Sequence, residues 1–228
     1  MDSELRCESL NMNLDLFASS FESGLVKTQI AEQAWHLAGY IQSRDEQLKA
    51  LLDEIIQQAP LRQMITPGGQ LMSVQMTTCG DVGWVSDSLG YRYQSTDPLS
   101  NLPWPEMPEV FKNFASEAAA AVGFDDFEPD SCLINYYQVG TRLSLHQDKD
   151  ELDLSQPIVS VSLGLPATFL FGGLQRKGPQ ARVALKHGDV VVWGGISRLA
   201  YHGILPLEQG EHKLCGRHRI NLTFRKAC

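Results

Sequence analysis

The chain has no apolar run long enough to span a bilayer. Its first ten residues, Met1 to Leu10, carry three acidic side chains where a secretory leader would need a basic and then an apolar segment. It is therefore expected in the cytoplasm, with no membrane partner. The five cysteines (Cys7, Cys79, Cys132, Cys215 and Cys228) stand far apart with no C-x-x-C pair, which suggests neither a disulfide framework nor a thiolate zinc motif and predicts free thiols. Internal repeats and low-complexity tracts are absent, and so is any alternation of strands with helices, which speaks against a parallel doubly wound sheet.

Basic residues are also few, giving a net charge of −8, which on its face argues against a nucleic-acid partner. The deficit is uneven. Residues 1–60 sum to −6 and residues 61–170 to −9, whereas residues 171–228 sum to +7. A basic C-terminal quarter can track a phosphate backbone, although a solvated basic face with no partner explains the charge equally well.

What is present suits one globular domain, since 228 residues with 43% hydrophobic side chains can bury a substantial core. Near the start, Leu14, Leu16 and Phe17 suggest a docked N-terminal arm. From Asp45 to Gln58 the apolar residues Leu48, Leu51, Leu52, Ile55 and Ile56 recur at spacings of three and four, an amphipathic helix closed by Pro60. Thr66 to Gly69 reads as a turn and Leu71 to Met76 as a strand. Residues 77–105 show no clear period but contain Trp84, Tyr91, Tyr93 and Trp104, the pattern of an aromatic lid or of rings covering the core. A second helix is expected over Met107 to Val122, ended by Gly123.

From Cys132 onward eight β-like runs follow at close spacing, separated by Gly and Pro: 132–138, 143–149, 158–163, 168–171, 181–186, 189–193, 199–204 and 219–225. That density predicts a mainly β fold with flanking helices, built on a jelly roll or barrel.

Within the second run, His146 and Asp148 sit at i and i+2, which on a strand would place both side chains on one face. Two ligands are too few for a transition metal. Of the six histidines, His202 is the best third ligand, because it lies in a strand-like run fifty-four residues after Asp148; His187 reads as a turn residue and His212 and His218 as loop residues. Two histidines and a carboxylate describe the facial triad of non-haem iron(II) oxygenases, and they also suit catalytic zinc. The last run weighs on this choice. Arg219, Asn221, Thr223 and Arg225 alternate with apolar residues, and two arginines facing a barrel interior would need anions, which a dicarboxylate co-substrate supplies. An edge strand with a solvated polar face remains the alternative for this motif.

Five motifs together resemble the AlkB family of Fe(II)/2-oxoglutarate-dependent dioxygenases: His146-Gln147-Asp148-Lys149-Asp150, Pro157 to Gly164, Gly188 to Gly195, His202-Gly203-Ile204 and Arg219 to Arg225. Pro67-Gly68-Gly69 and Asn101 to Pro105 agree upstream, while the loops around Gln70 and from Glu211 to His218 depart from the family pattern. The resemblance implies a double-stranded β-helix over residues 61–228, with residues 1–60 as an N-terminal extension and helix packed on it and a nucleotide-recognition lid at about 66–105. It implies Fe(II) on His146, Asp148 and His202. It also implies 2-oxoglutarate held by Arg219 and Arg225 with Asn135, Tyr137 and Asn221, and O2 as oxidant.

For the substrate, the resemblance implies Trp84 and the Tyr91-Arg92-Tyr93 segment against the nucleotide, Asp150 facing the damaged base and Arg176 nearby. The partner would be alkylated DNA, single- or double-stranded, with RNA a second candidate, and the enzyme a monomer. The implied reaction is oxidative demethylation of bases of the 1-methyladenine and 3-methylcytosine type, releasing formaldehyde. A 2-oxoglutarate-dependent hydroxylase acting on a protein or small molecule is the alternative.

Overall fold

The last strand-like run is where the fold is most constrained. In the computed structural model, which describes residues 26–41 and 43–228, it lies at the centre of the largest sheet with every residue after His218 buried. The suggested arm at Leu14 to Phe17 lies outside the described residues.

In chain order the elements are β1 (Val26–Ala31), β2 (Ala34–Ala38), α1 (Asp45–Gln58), β3 (Arg62–Ile65), β4 (Leu71–Gly80), β5 (Gly83–Asp87), β6 (Gly90–Gln94) and α2 (Glu109–Ala120). There follow β7 (Ser131–Gln138), β8 (Leu143–His146), β9 (Ile158–Gly164), β10 (Ala167–Phe171), β11 (Ala181–Leu185), β12 (Val190–Trp193), β13 (His202–Ile204) and β14 (His218–Arg225). One sheet of eight strands runs β1-β2-β12-β9-β14-β7-β4-β3, and a second of four runs β11-β10-β13-β8. All strand pairings among the described residues are antiparallel, and the double-stranded β-helix implied by the resemblance is the fold observed.

Alternation on β14 sorts the two sides of the large sheet. Ile220, Leu222 and Phe224 join Val159, Val161 and Leu163 of β9 in a core closed by Leu48, Leu52 and Ile55 of α1 and Phe111 and Phe114 of α2. Phe111 meets Phe224 edge to face at 5.9 Å. Truncating such a ring to alanine costs about 3–5 kcal/mol. On the opposite side of the sheet, Arg219, Asn221, Thr223 and Arg225 are buried too, so the solvated-edge alternative does not hold. A second core of Met76, Leu133, Phe169, Phe171 and Trp193 fills part of the space between the sheets.

Four differences from the sequence reading have physical causes. β1 and β2 were not foreseen, because Val26 to Ala31 is largely exposed and has no buried face to pattern; β2 nonetheless hydrogen-bonds to β12 in the large sheet. Residues 77–105 are not irregular throughout. They extend β4 and then form the β5–β6 hairpin, whose two-stranded sheet is set by polar and aromatic residues instead of apolar alternation. β8 stops at His146, so Asp148 and Asp150 lie beyond the strand and the i+2 rule does not place them. His218 belongs to β14, where its ring lies 4.6 Å from that of Tyr136. The helices agree: α1 spans the expected residues, and α2 falls within the expected range. No helix among the described residues is long and apolar enough to cross a membrane.

Candidate metal centre and co-substrate cavity

β8 and β13 are neighbours in the small sheet, with His146 opposite His202 and their ring centroids 4.3 Å apart. Gly203 permits this approach, since a side-chain carbon there would fall 2.7 Å from the Leu143 carbonyl oxygen. Both rings are oriented by backbone. Nδ1 of His146 lies 2.9 Å from the Ser144 carbonyl and Nδ1 of His202 lies 3.0 Å from that of Ala200. A carbonyl only accepts, so Nδ1–H donates in each case and the Nε2 lone pairs are left free, as metal ligation requires.

Both lone pairs converge on Asp148, with His146 Nε2 3.6 Å from Oδ1 and His202 Nε2 3.8 Å from Oδ2. One ligand atom from each residue falls within 4.8 Å of the others, so the three can hold one metal ion. Asp148 is placed by arginines. Arg225 Nη2 and Nε donate to Oδ2 at 2.6 and 3.0 Å, and Arg198 Nη1 donates to the Asp148 carbonyl at 2.7 Å. Burial alone would raise the Asp148 carboxyl, but Arg225 and then His202 and His146 outweigh it and hold it well below the usual range. Burial and the neighbouring His146 push His202 down to about 4, so its imidazole is neutral near pH 7 and open to a cation.

The triad opens into a cavity of about 720 Å³ that also receives Asn135, Tyr137, Arg219, Asn221 and Arg225. Arg219 is fully enclosed: Nη2 donates to Ser162 Oγ at 3.0 Å and the guanidinium stands 4.9 Å from the Tyr137 ring centre. Among the described residues, Nε and Nη1 of Arg219 and Nη1 of Arg225 meet no acceptor. Buried donors of this kind are costly unless an anion completes them. Asn135 donates to Asn221 Oδ1 at 3.2 Å, and Asn221 donates to Ser160 Oγ at 2.8 Å, so both amides are fixed before any ligand arrives. A metal at the triad beside an unsatisfied buried guanidinium fits a ligand that chelates with one end and ends in a carboxylate.

The β5–β6 hairpin covers part of the cavity mouth. Trp84 and Tyr91 stack at 5.5 Å with their planes 12° apart, and both line the cavity with Asp150 and Arg176. Trp84 Nε1 donates to Asp150 Oδ2 at 2.8 Å. Arg92 and Tyr93 are placed differently. Arg92 folds back on Asp87 at 2.8 and 2.9 Å, and Tyr93 donates to Glu151 Oε1 at 2.7 Å, so neither lines the cavity. A second cavity of about 770 Å³, beneath Trp104, shares no residue with the triad.

Sequence reasoning missed Glu151 and Arg198. Both are buried; Arg198 donates to Glu151 Oε2 at 3.0 Å and to the Gln156 carbonyl at 2.8 Å, which fixes the loop carrying Asp148. The only signal was a lone arginine following the apolar run 190–193.

Two imidazoles and one carboxylate on a jelly roll, beside a buried arginine without an anion, fit a non-haem iron(II) oxygenase dependent on a 2-oxo acid. The comparisons agree. Residues 33–225 match the 2OG-Fe(II) oxygenase superfamily. The chain is 54% identical over 214 residues to the alpha-ketoglutarate-dependent dioxygenase AlkB of Escherichia coli (strain K12), covering 94% of this chain and 98% of that one. To the dioxygenase AlkB of Salmonella typhimurium it is 57% identical over 182 residues, 78% of this chain and 84% of the relative. The solved structure of OsALKBH1 superposes with a TM-score of 0.73 at 28% identity, covering 88% of this chain and all of that one. The chain belongs to the AlkB family of this superfamily. It is a dioxygenase that uses Fe(II) as its cofactor and 2-oxoglutarate and O2 as co-substrates.

Proposed function

We propose that the enzyme removes N-alkyl groups from nucleic-acid bases of the 1-methyladenine and 3-methylcytosine type, with DNA as the principal substrate and RNA a second one. The observation that carries the reading is the sharing of one cavity by the triad, Arg219 and the Trp84–Tyr91 stack. An aromatic pair at the mouth replaces the stacking a base loses when it leaves its strand. Names of relatives support the same reading, since the human relative, 36% identical over 132 residues, is a nucleic acid dioxygenase.

In this reading His146, Asp148 and His202 hold the iron. Arg219 takes the distal carboxylate of 2-oxoglutarate and Arg225 offers the co-substrate its unpartnered Nη1 while Nε and Nη2 steady Asp148, with Asn135, Tyr137 and Asn221 lining the bed. Iron held there would supply an oxidation in which one oxygen atom of O2 enters succinate as 2-oxoglutarate loses CO2 and the other hydroxylates the N-methyl carbon, giving a hemiaminal that releases formaldehyde and the repaired base. The protein's own residues position and exclude. Asp150 faces a base made cationic by alkylation, and favours it over a normal base by charge. An outer face of the Trp84–Tyr91 stack stands against the base and keeps water from the reacting carbon. Arg176 reaches toward the nucleotide, and Lys177, Arg182 and Lys186 give the strand's phosphates a salt-sensitive hold. Residues 66–105 then act as the recognition lid, Arg92 and Tyr93 bracing the hairpin instead of touching the base. Of the expected N-terminal extension, the described residues 26–41 and 43–60 bring β1, β2 and α1 onto residues 61–228, while residues 1–25 lie outside the described residues; the enzyme works as a cytoplasmic monomer.

The test is formaldehyde release from methylated single- and double-stranded DNA and RNA oligomers, supplied with Fe(II) and 2-oxoglutarate. Release on a methylated strand, with stoichiometric succinate, supports the reading. Succinate formation stimulated by a protein or small molecule, with none on any methylated oligomer, would replace it with the hydroxylase alternative.

A further inference from the structure

Glu151 is where the β5–β6 hairpin meets the metal triad. We propose that Tyr93 and Glu151 are positioning residues for the iron ligand Asp148, acting through Arg225, so that the hairpin forms part of the metal site's outer shell. This role belongs to the dioxygenase chemistry itself and holds whatever substrate the hairpin receives.

Glu151 is buried and uses both of its carboxylate oxygens. Oε2 accepts from Arg198 Nη2 at 3.0 Å, while Oε1 accepts from the Tyr93 hydroxyl at 2.7 Å and lies 3.4 Å from Arg225 Nε. The same Nε donates to Asp148 Oδ2 at 3.0 Å. One N–H therefore stands between two buried carboxylates, and the other donors to each decide how it is shared. Asp148 Oδ2 also receives Arg225 Nη2, at 2.6 Å, and Glu151 Oε1 receives Tyr93. Away from water, a carboxylate oxygen that loses its donor is costly until it finds another, and Arg225 Nε is within reach of Oε1. Without the Tyr93 hydroxyl the guanidinium is drawn toward Glu151. Asp148 then loses one of the two bonds that leave Oδ1 turned to His146.

The hairpin delivers that hydroxyl through its own register. Tyr93 on β6 stands opposite Trp84 on β5, and Trp84 Nε1 donates to Asp150 Oδ2 at 2.8 Å. One cross-strand pair is thus tied to two consecutive carboxylates of the loop that carries Asp148. Arg198 holds the same loop independently, through the Asp148 carbonyl and Glu151 Oε2, so Glu151 does not follow the hairpin when the hairpin shifts. A displacement of β6 then lengthens the Tyr93–Glu151 bond and changes the sharing of Arg225, which makes the aim of Asp148 depend on where the hairpin sits. Arg92 takes no part in this chain of contacts, since it pairs with Asp87 inside the hairpin.

The test is anaerobic titration of the full-length protein with Fe(II) in the presence of 2-oxoglutarate and without substrate, so that metal affinity is read apart from turnover. Tyr93→Phe keeps the ring and removes only the hydroxyl. It is expected to weaken Fe(II) binding about tenfold, the lower end of the loss seen when an outer-shell partner is removed. Arg92→Met breaks the other brace of the same strand without touching Glu151, and should leave Fe(II) affinity unchanged. Glu151→Gln supplies the third arm, because a neutral amide competes less for Arg225. In that background Tyr93→Phe should change Fe(II) affinity by no more than about twofold, the margin within which independent substitutions add. Should Glu151→Gln fold poorly, the comparison of Tyr93→Phe with Arg92→Met decides alone. Unchanged affinity in Tyr93→Phe, an equal loss in Arg92→Met, or losses that simply add in the double variant would overturn the proposal, leaving Tyr93 as packing within the hairpin.

Discussion

Arg225 grips Asp148 through one carboxylate oxygen, donating from Nη2 at 2.6 Å and from Nε at 3.0 Å, and this leaves Oδ1 facing His146. Burial would lower the Arg225 guanidinium, but Asp148, Tyr93 and Glu151 more than offset it and hold it well above the usual range. Arg225 therefore stays charged at any pH the fold survives. Replacing it with methionine strands a buried carboxylate, which costs about 3–5 kcal/mol, and frees the carboxylate to rotate. Arg225→Met is expected to lower the melting temperature and to weaken Fe(II) binding about 10–100-fold, the usual loss when an outer-shell partner is removed. Thermal denaturation and metal titration would check both, and unchanged metal affinity would count against the positioning role.

Arg219 has the opposite problem, too many donors and too few acceptors. Burial presses its guanidinium down from its usual range, and Nε and Nη1 meet no acceptor among the described residues. An anion that completes them gains charge-assisted hydrogen bonds, each worth about 1.5–3 kcal/mol. Arg219→Lys keeps the charge and loses the planar fork. The expected result is a rise of about tenfold or more in KM for 2-oxoglutarate with Fe(II) affinity unchanged, read by succinate kinetics and metal titration side by side. Equal losses in both would indicate general disruption.

Acid should loosen the metal-free protein. His202 is pushed down to about 4 in the folded chain, while an unfolded histidine titrates near 6.5, so the unfolded chain binds more protons between those values. Stability is then full above about pH 6.5 and declines as the pH falls toward about 4. The depressed Asp148 acts in the same direction at still lower pH, where its protonation releases the Arg225 bonds. Melting temperatures across pH 4 to 7 should fall with acid, and His202→Gln should flatten that slope. A wild-type curve that is flat over this interval would contradict the sign.

How much of this was legible in the sequence depends on what each feature rests on. Turn residues and apolar runs located most strands from Cys132 onward, and the 3.6-residue period located α1 to the residue. The alternation in Arg219 to Arg225 was visible, but its burial was not, because strand order decides that β14 lies between β9 and β7. His146, Asp148 and His202 were found together, yet for a partly mistaken reason. His146 and His202 meet through strand pairing, whereas Asp148 arrives by way of Arg225 and Arg198, from distant parts of the chain. Glu151 and Arg198 were missed because a buried ion pair leaves no periodic trace. The free-thiol reading holds for Cys79, Cys132, Cys215 and Cys228, whose wide spacing already spoke against a disulfide framework.

The hairpin gives the sharpest test of substrate recognition, because its bracing and its contact residues are separable. Arg92 with Asp87 and Tyr93 with Glu151 hold the hairpin in place, whereas Trp84 and Tyr91 face the cavity. Trp84→Phe keeps a ring and loses the donor to Asp150; Trp84→Ala loses both. Base–aromatic stacking is worth about 1–3 kcal/mol per base, so Trp84→Ala is expected to raise KM for a methylated oligomer about tenfold or more, and Trp84→Phe considerably less. Asp150→Asn should narrow the preference for a cationic alkylated base over its neutral parent, because the charge that discriminates between them is gone while the side chain keeps its size. KM for 2-oxoglutarate should stay put in all three variants. A comparable rise for 2-oxoglutarate would mean that the hairpin shapes the co-substrate cavity as a whole, and that the stacked pair is packing instead of a platform for the base.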